Sequence, residues 1–200
     1  MKVMRMRYPL EFNFKKLAIA QQVYVRDAGG QLLWYVKQKA FKLKEAITVF
    51  ADEEQTRPLF TMQADRVLDF SARYVLTDVA TQQVLGVVQR RGMRSFWRAK
   101  YEVERDGQVV FELTEENPMV KVIDSLLFEI PIIGLFSGYI FHPRYLATRD
   151  GGAEVLRLQK EAAFLQGKFS VLQLTQLDDR DERLVVLSML MLVLLERARG

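Results

Sequence analysis

The residues in this chain best placed to do chemistry are cations. From Gln89 to Tyr101 the sequence runs QRRGMRSFWRAKY, in which Arg90, Arg91, Arg94, Arg98 and Lys100 carry five positive charges with no acid among them. A second group, Lys37, Lys39, Lys42 and Lys44, falls in one short stretch. Guanidinium and ammonium groups that converge on one place hold phosphate well: charge-assisted hydrogen bonds are stronger than neutral ones, and the arginine fork matches a phosphate edge. The ligand class these residues suggest is an anionic lipid headgroup, with Arg90, Arg91, Arg94, Arg98, Lys100, Lys37 and Lys39 as its contacts. The plainer alternative, which alternation with apolar residues favours, is that the cations coat the wet face of a sheet.

Other chemistries find less support. The absence of cysteine excludes a disulfide framework, a thiolate metal site and a thiol nucleophile, and leans weakly toward a reducing compartment. His142 is the only histidine, and neither Gly-x-Ser-x-Gly nor His-Glu-x-x-His occurs. Gly29-Gly30 and Gly151-Gly152 read as hairpin turns, not as a phosphate-cradling loop. The run Asp178-Asp179-Arg180-Asp181-Glu182 lacks the spacing of a calcium loop and contains Arg180, so it reads as the capped start of a helix. Glu115-Glu116, just before Asn117-Pro118, read as a solvated turn. No catalytic residue, metal or cofactor is expected. A formal charge of +4 and a pI near 9.3 invite anionic surfaces only mildly, which makes nucleic acid a weaker partner than lipid.

The elements that must position these cations are mostly strands. Trp97, Ala99, Tyr101 and Val103 alternate with Arg98, Lys100, Glu102 and Glu104, the pattern of a strand with one buried and one wet face. Asp106-Gly107 supplies a tight turn into Val109, Phe111 and Leu113. Arg26-Asp27-Ala28-Gly29-Gly30 joins QQVYV to LLWYV, and Arg149-Asp150-Gly151-Gly152 joins YLAT to EVLRL. A fourth hairpin is expected around Thr77 to Gln83, with further strands at Leu10–Leu17, Ala46–Ala51, Leu59–Asp65 and Lys168–Leu174. About ten to twelve short strands at this spacing indicate an all-β barrel or sandwich. Lys37 and Lys39 share one parity and Lys42 and Lys44 the other, so a bulge or bend is expected near Ala40-Phe41. The segment Asn117 to His142 starts as a helix and turns apolar and irregular. It reads as a loop across a barrel mouth, with membrane contact as the alternative.

From Leu184 to Leu195 the sequence is LVVLSMLMLVLL, twelve positions broken only by Ser188. A helix that is apolar all round must be enclosed by protein or by lipid, and this run stops well short of the roughly 20 residues that span a bilayer. Something hollow must therefore surround it. Met1 to Tyr8 carries Lys2, Arg5 and Arg7, but Glu11, Lys15 and Lys16 interrupt any apolar core behind them. No secretory leader is read, and the expected location is cytoplasmic, peripheral to the inner membrane surface.

With these segments in view, the chain resembles the LURP-one-related proteins, within the superfamily of tubby C-terminal domains and phospholipid scramblases. The resemblance is carried by VLDFSARYVLTDVATQQVLGVVQRR, SFWRAKYEV and IPIIGLFSGYIFHPRYL, and by the closing LVVLSMLMLVLLERARG. It implies a mainly β fold of one domain over residues 1–200: a closed antiparallel barrel of about twelve strands around a hydrophobic C-terminal helix. Tubby domains bind phosphoinositides through basic side chains, which agrees with the headgroup reading. The function expected is thus a non-enzymatic scaffold at a membrane surface. Its alternatives are a small-molecule binder or hydrolase using carboxylates in a barrel-mouth pocket, and a nucleic-acid-binding module.

Overall fold

A computed structural model describes residues 6–16, 20–39, 46–65, 73–91, 100–116, 144–161 and 167–197. Among these residues lie twelve strands: β1 (Leu10–Lys16), β2 (Ala20–Arg26), β3 (Leu32–Lys39), β4 (Ile47–Phe50), β5 (Pro58–Ala64), β6 (Arg73–Asp78), β7 (Val84–Arg90), β8 (Lys100–Arg105), β9 (Gln108–Glu115), β10 (Arg144–Arg149), β11 (Glu154–Glu161) and β12 (Gly167–Gln173). One helix, α1 (Asp179–Arg197), follows them. Each strand pairs antiparallel with its neighbours in sequence, and β12 pairs with β1, so the sheet closes into a barrel. Among the described residues every strand has a neighbour on both sides, although β3 and β4 meet in register only at Tyr35 and Phe50.

The turn residues do what their chemistry predicts. Asp106 and Gly107 take φ of 52° and 79° between β8 and β9. This is the positive-φ pair of a type I′ turn, whose twist matches that of the strands it joins. The other expected hairpins join β2 to β3, β6 to β7 and β10 to β11, and a fifth joins β4 to β5. Each of the five carries a register shift near its turn: at Val25/Arg26, Val49/Phe50, Leu76/Thr77, Val103/Glu104 and Ala147/Thr148. Such bulges bend the strand and increase local twist, which curls the wall around on itself. All five hairpins, and the step from β12 into α1, lie at one end of the barrel, hereafter the hairpin end. The start of β1 lies there too, and the remaining strand termini define the far end.

Strand alternation sends Phe12, Val25, Trp34, Met62, Leu76, Val88, Val103, Phe111 and Leu158 inward to a core from which solvent is excluded. The alternation expected from Phe96 onward is described from Lys100. Tyr101 and Val103 are 0% exposed as expected, but Glu102, on the wet face, is only 5% exposed. Its carboxylate is paired with Arg91, whose Nε lies 2.8 Å away. The bend expected near Ala40-Phe41 and the segment 117–142 lie outside the described residues.

α1 fills the barrel. No residue from Leu184 to Val193 is more than 1% exposed, Ser188 included. Ser188 meets its polar requirement locally, donating to the Leu184 carbonyl at 2.7 Å. The wall makes room for the helix at Gly86 on β7, where a Cβ would come within 2.6 Å of the Glu104 carbonyl and 2.7 Å of Leu184 Cδ1. The helix start is fixed by charge. Asp178 caps it, accepting from the Arg180 and Asp181 amides at 3.0 and 2.9 Å. The Asp181 carboxylate is shared between Arg105 at the end of β8 and Arg149 at the end of β10. The acidic run therefore caps the helix, as its sequence suggests, and through Asp181 also anchors it to the wall.

Candidate anion-binding surface

Antiparallel topology decides where the candidate cations go. β3 and β7 both end, and β8 begins, at the far end, so Lys37, Lys39, Arg90, Arg91 and Lys100 all lie there. β4, β5 and β6 separate the two groups around the wall. Arg94, Arg98, Lys42 and Lys44 lie outside the described residues. Lys39 closes β3 opposite Ala20.

Arg90, Arg91 and Lys100 come together where β7 meets β8, but not as one cluster. Consecutive strand residues face opposite sides, and Arg90 sits opposite Tyr101, a fully buried inward residue. It therefore occupies an inward register at the barrel mouth. Arg91 and Lys100 face outward and are already paired, Arg91 with Glu102 at 2.8 Å and Lys100 with Glu112 at 2.9 Å. The stretch that carries no acid of its own receives its acids from β8 and β9. Arg73 on β6 likewise meets Glu104 at 2.6 Å, and Lys168 on β12 meets Glu11 at 2.8 Å.

The wall formed by β1, β2 and β3 differs. Lys15 pairs in register with Gln22, and Gln22 with Lys37, so two exposed lysines flank one amide in a single row of the outer face. The next row toward the hairpin end holds Tyr24 and Tyr35, whose ring centroids are 5.1 Å apart. Although outward in register, these rings are 6% and 2% exposed. Lys15 Nζ lies 4.8 Å over the Tyr24 ring and the Arg26 guanidinium 5.7 Å from it, in cation–π range. Tyr24 Oη is within hydrogen-bond distance of Gln22 Oε1 at 3.2 Å and Glu53 Oε2 at 3.0 Å. Burial, with Glu53 beside it, pushes the Tyr24 hydroxyl up to about 12, and burial raises Tyr35 as well. Both stay protonated and neutral, so they add no negative charge to the row. Lys15 was not singled out from the sequence, because its relation to Lys37 exists only through the register of three strands.

The hairpin end has the opposite character. The Arg7 guanidinium holds the Asp27 carboxyl below its ordinary range, helped by the amides of Gln31 and Gly29. Amide and hydroxyl bonds from Thr56 do the same for Asp52. Between the N-terminal segment and the helix start lies a cleft of about 770 Å³, bounded by Met6, Gln173, Leu177, Asp178, Asp179, Arg180 and Glu182. Beside it, burial and the Glu182 carboxylate raise the ionisation of Tyr8.

The fold and these surfaces define a class: a closed antiparallel barrel threaded by an apolar C-terminal helix. Residues 32–130 match the model of the LURP-one-related family, from the start of β3 to beyond β9. The match takes in Lys37, Lys39 and the Arg90–Lys100 segment, while Lys15, residues 131–146 and α1 lie outside it. No curated protein and no solved structure matches the chain. Among the described residues, no helix is long and apolar enough to cross a membrane, and no group of acids or histidines is placed to hold a metal ion.

Proposed function

We propose that this protein is a non-enzymatic scaffold that rests its far end on a membrane surface and binds anionic phospholipid headgroups there. The observation that carries the reading is topological. Two cation groups more than fifty residues apart in sequence are delivered to one end of the barrel, while at the other end Asp27, Asp52 and Asp181 are matched by Arg7, Arg57, Arg105 and Arg149. A charge distribution of this kind orients a protein toward an anionic surface, with each basic residue near the surface adding about 1 kcal/mol. A site on the inner, cytoplasm-facing leaflet suits this chemistry, since that leaflet carries the anionic lipid. The test is sedimentation with vesicles of neutral lipid alone and with acidic lipid added. Pelleting only with acidic lipid, weakening as salt rises, is the expected result. Equal pelleting in both, or in neither, ends the proposal.

A second reading, a small-molecule binder or hydrolase, is favoured by the cleft at the hairpin end, whose volume falls in the range of ligand sites. Asp178 there is committed to capping α1, so the lipid reading is preferred. A ligand-induced rise in Tm that Glu182→Gln abolishes would reverse that preference.

A further inference from the structure

We infer that the row Lys15–Gln22–Lys37, on the outer face of β1, β2 and β3, is a phosphate clamp selective for a phosphomonoester, and that it, not the paired Arg91 and Lys100, supplies the specific contact. The inference deepens the headgroup reading and rests on it for the ligand's source.

Register is the first support. Strands lie about 4.8 Å apart, which puts the two lysine backbones roughly 10 Å from each other with Gln22 midway. Flexible four-carbon stems let both ammonium groups close on one group between them. Charge state is the second. A cation held by a carboxylate must leave it to take a phosphate, and the carboxylate left behind repels the newcomer. Arg91, Lys100, Arg73 and Lys168 are each paired in this way, whereas among the described residues no carboxylate lies within ion-pair distance of Lys15 or Lys37. Glu53, which reaches this wall, is taken up by the Tyr24 hydroxyl and faces Arg26. Preorganisation is the third. Gln22 bonds the Tyr35 hydroxyl and sits 3.2 Å from Tyr24 Oη, while Lys15 is held over the Tyr24 ring. A fixed amide flanked by one lysine held over a ring and one left to move suits a terminal phosphate, which presents three acceptor oxygens and up to two charges. It suits a carboxylate or a phosphodiester less.

The experiment compares the wild type with Lys15→Gln/Lys37→Gln and with Arg91→Gln/Lys100→Gln. One arm uses vesicles of phosphatidylcholine with phosphatidic acid, a lipid phosphomonoester. A second uses phosphatidylcholine with phosphatidylserine at matched surface charge. A third titrates the soluble protein with inorganic phosphate, observed at the lysine side-chain NMR signals. The expected result is a preference for phosphatidic acid that falls about tenfold or more in the Lys15/Lys37 variant and about twofold or less in the Arg91/Lys100 variant. If neither vesicle is bound but inorganic phosphate moves the Lys15 and Lys37 signals, the clamp stands, with a free phosphate compound as its ligand, and the membrane reading falls. Binding to phosphatidic acid that survives in the Lys15/Lys37 variant overturns the inference. So does equal affinity for the two lipids, or silence of both lysines toward phosphate and vesicles alike.

Discussion

Asp181 and Lys37 belong to opposite ends of one barrel and put their charges to different uses. The Asp181 side chain is 10% exposed and lies between two arginines from different strands. Lys37 is exposed and shares its row with an amide and a second lysine. Around Asp181 the same economy repeats: Asp178 caps the helix, and Asp27 and Asp52 gather loop amides. The buried carboxylates Asp27 and Asp181 at the hairpin end are consumed by the fold. On the β1–β3 wall at the far end charge is left toward solvent. The two ends thus separate what keeps the barrel threaded from what the barrel can offer a partner.

That division depends on α1 being a core element, and the most severe test strikes there. Leu190 is fully buried at the middle of the helix. Leu190→Lys places an ammonium where apolar groups surround it, a cost beyond about 5 kcal/mol that exceeds the stability of many domains. Insoluble protein, or a circular dichroism spectrum without a cooperative melt, is expected. A soluble variant with unchanged melting would mean the helix is not the core of this barrel, and the contrast between the ends would lose its basis.

The next test sets one ion pair against another. Asp181→Ala strands two arginines, one of them only 15% exposed at its side chain, and should cost about 3 kcal/mol or more in chemical denaturation. Glu112→Ala breaks the Lys100 pair at the far end, whose side chains are 41% and 38% exposed. Exposed pairs of this type contribute about 0–1 kcal/mol. Similar losses from the two substitutions would erase the distinction drawn here.

Much of this was legible in the sequence, for physical reasons that also mark where reading had to stop. The Asp-Gly turns announce hairpins because positive φ is a local requirement, and the run from Leu184 to Leu195 announces a sheath because no polar face exists at any helical spacing. Burial on the wet face of β8 could not be read, since the partner of Glu102 is Arg91, eleven positions earlier on another strand's end. The opposed facing of Arg90 and Arg91 was available from strand parity. Their apparent freedom from acids was not, because Glu102 and Glu112 arrive through pairing across strands. Lys15 was invisible for the same reason: nothing near it in sequence points to Lys37. Local signals survive a reading of one chain, whereas a site made by register appears only when strands are laid side by side.

Acid should expose the two ends unequally. The folded state holds Asp27 and Asp52 below their ordinary value of 3.8, so it binds fewer protons than the unfolded chain. Their contribution is complete above that value and is lost as pH falls through the depressed folded values. Denaturant midpoints should therefore drop below about pH 4, and Asp27→Asn should flatten part of that drop while lowering stability at pH 7. A pH profile unchanged by Asp27→Asn would show that this carboxylate is not spent on the fold.

The smallest expected effect on stability is at the far end, and its smallness is what the contrast requires. Lys15 and Lys37 are exposed and bridge no other element through an ion pair among the described residues. Replacing both by Gln should change unfolding free energy by no more than about 0.5 kcal/mol, apart from the contact of Lys15 with Tyr24. Lys15→Met separates the two contributions, because it keeps apolar cover over the ring and removes the charge. If Lys15→Gln/Lys37→Gln lowers stability by 2 kcal/mol or more while Lys15→Met/Lys37→Met restores it, the row serves as cover for the aromatic pair. The far end would then be built on the same economy as the hairpin end. If both variants melt with the wild type, the charges are idle in the folded protein, and a partner outside it is the remaining reason for their alignment across three strands.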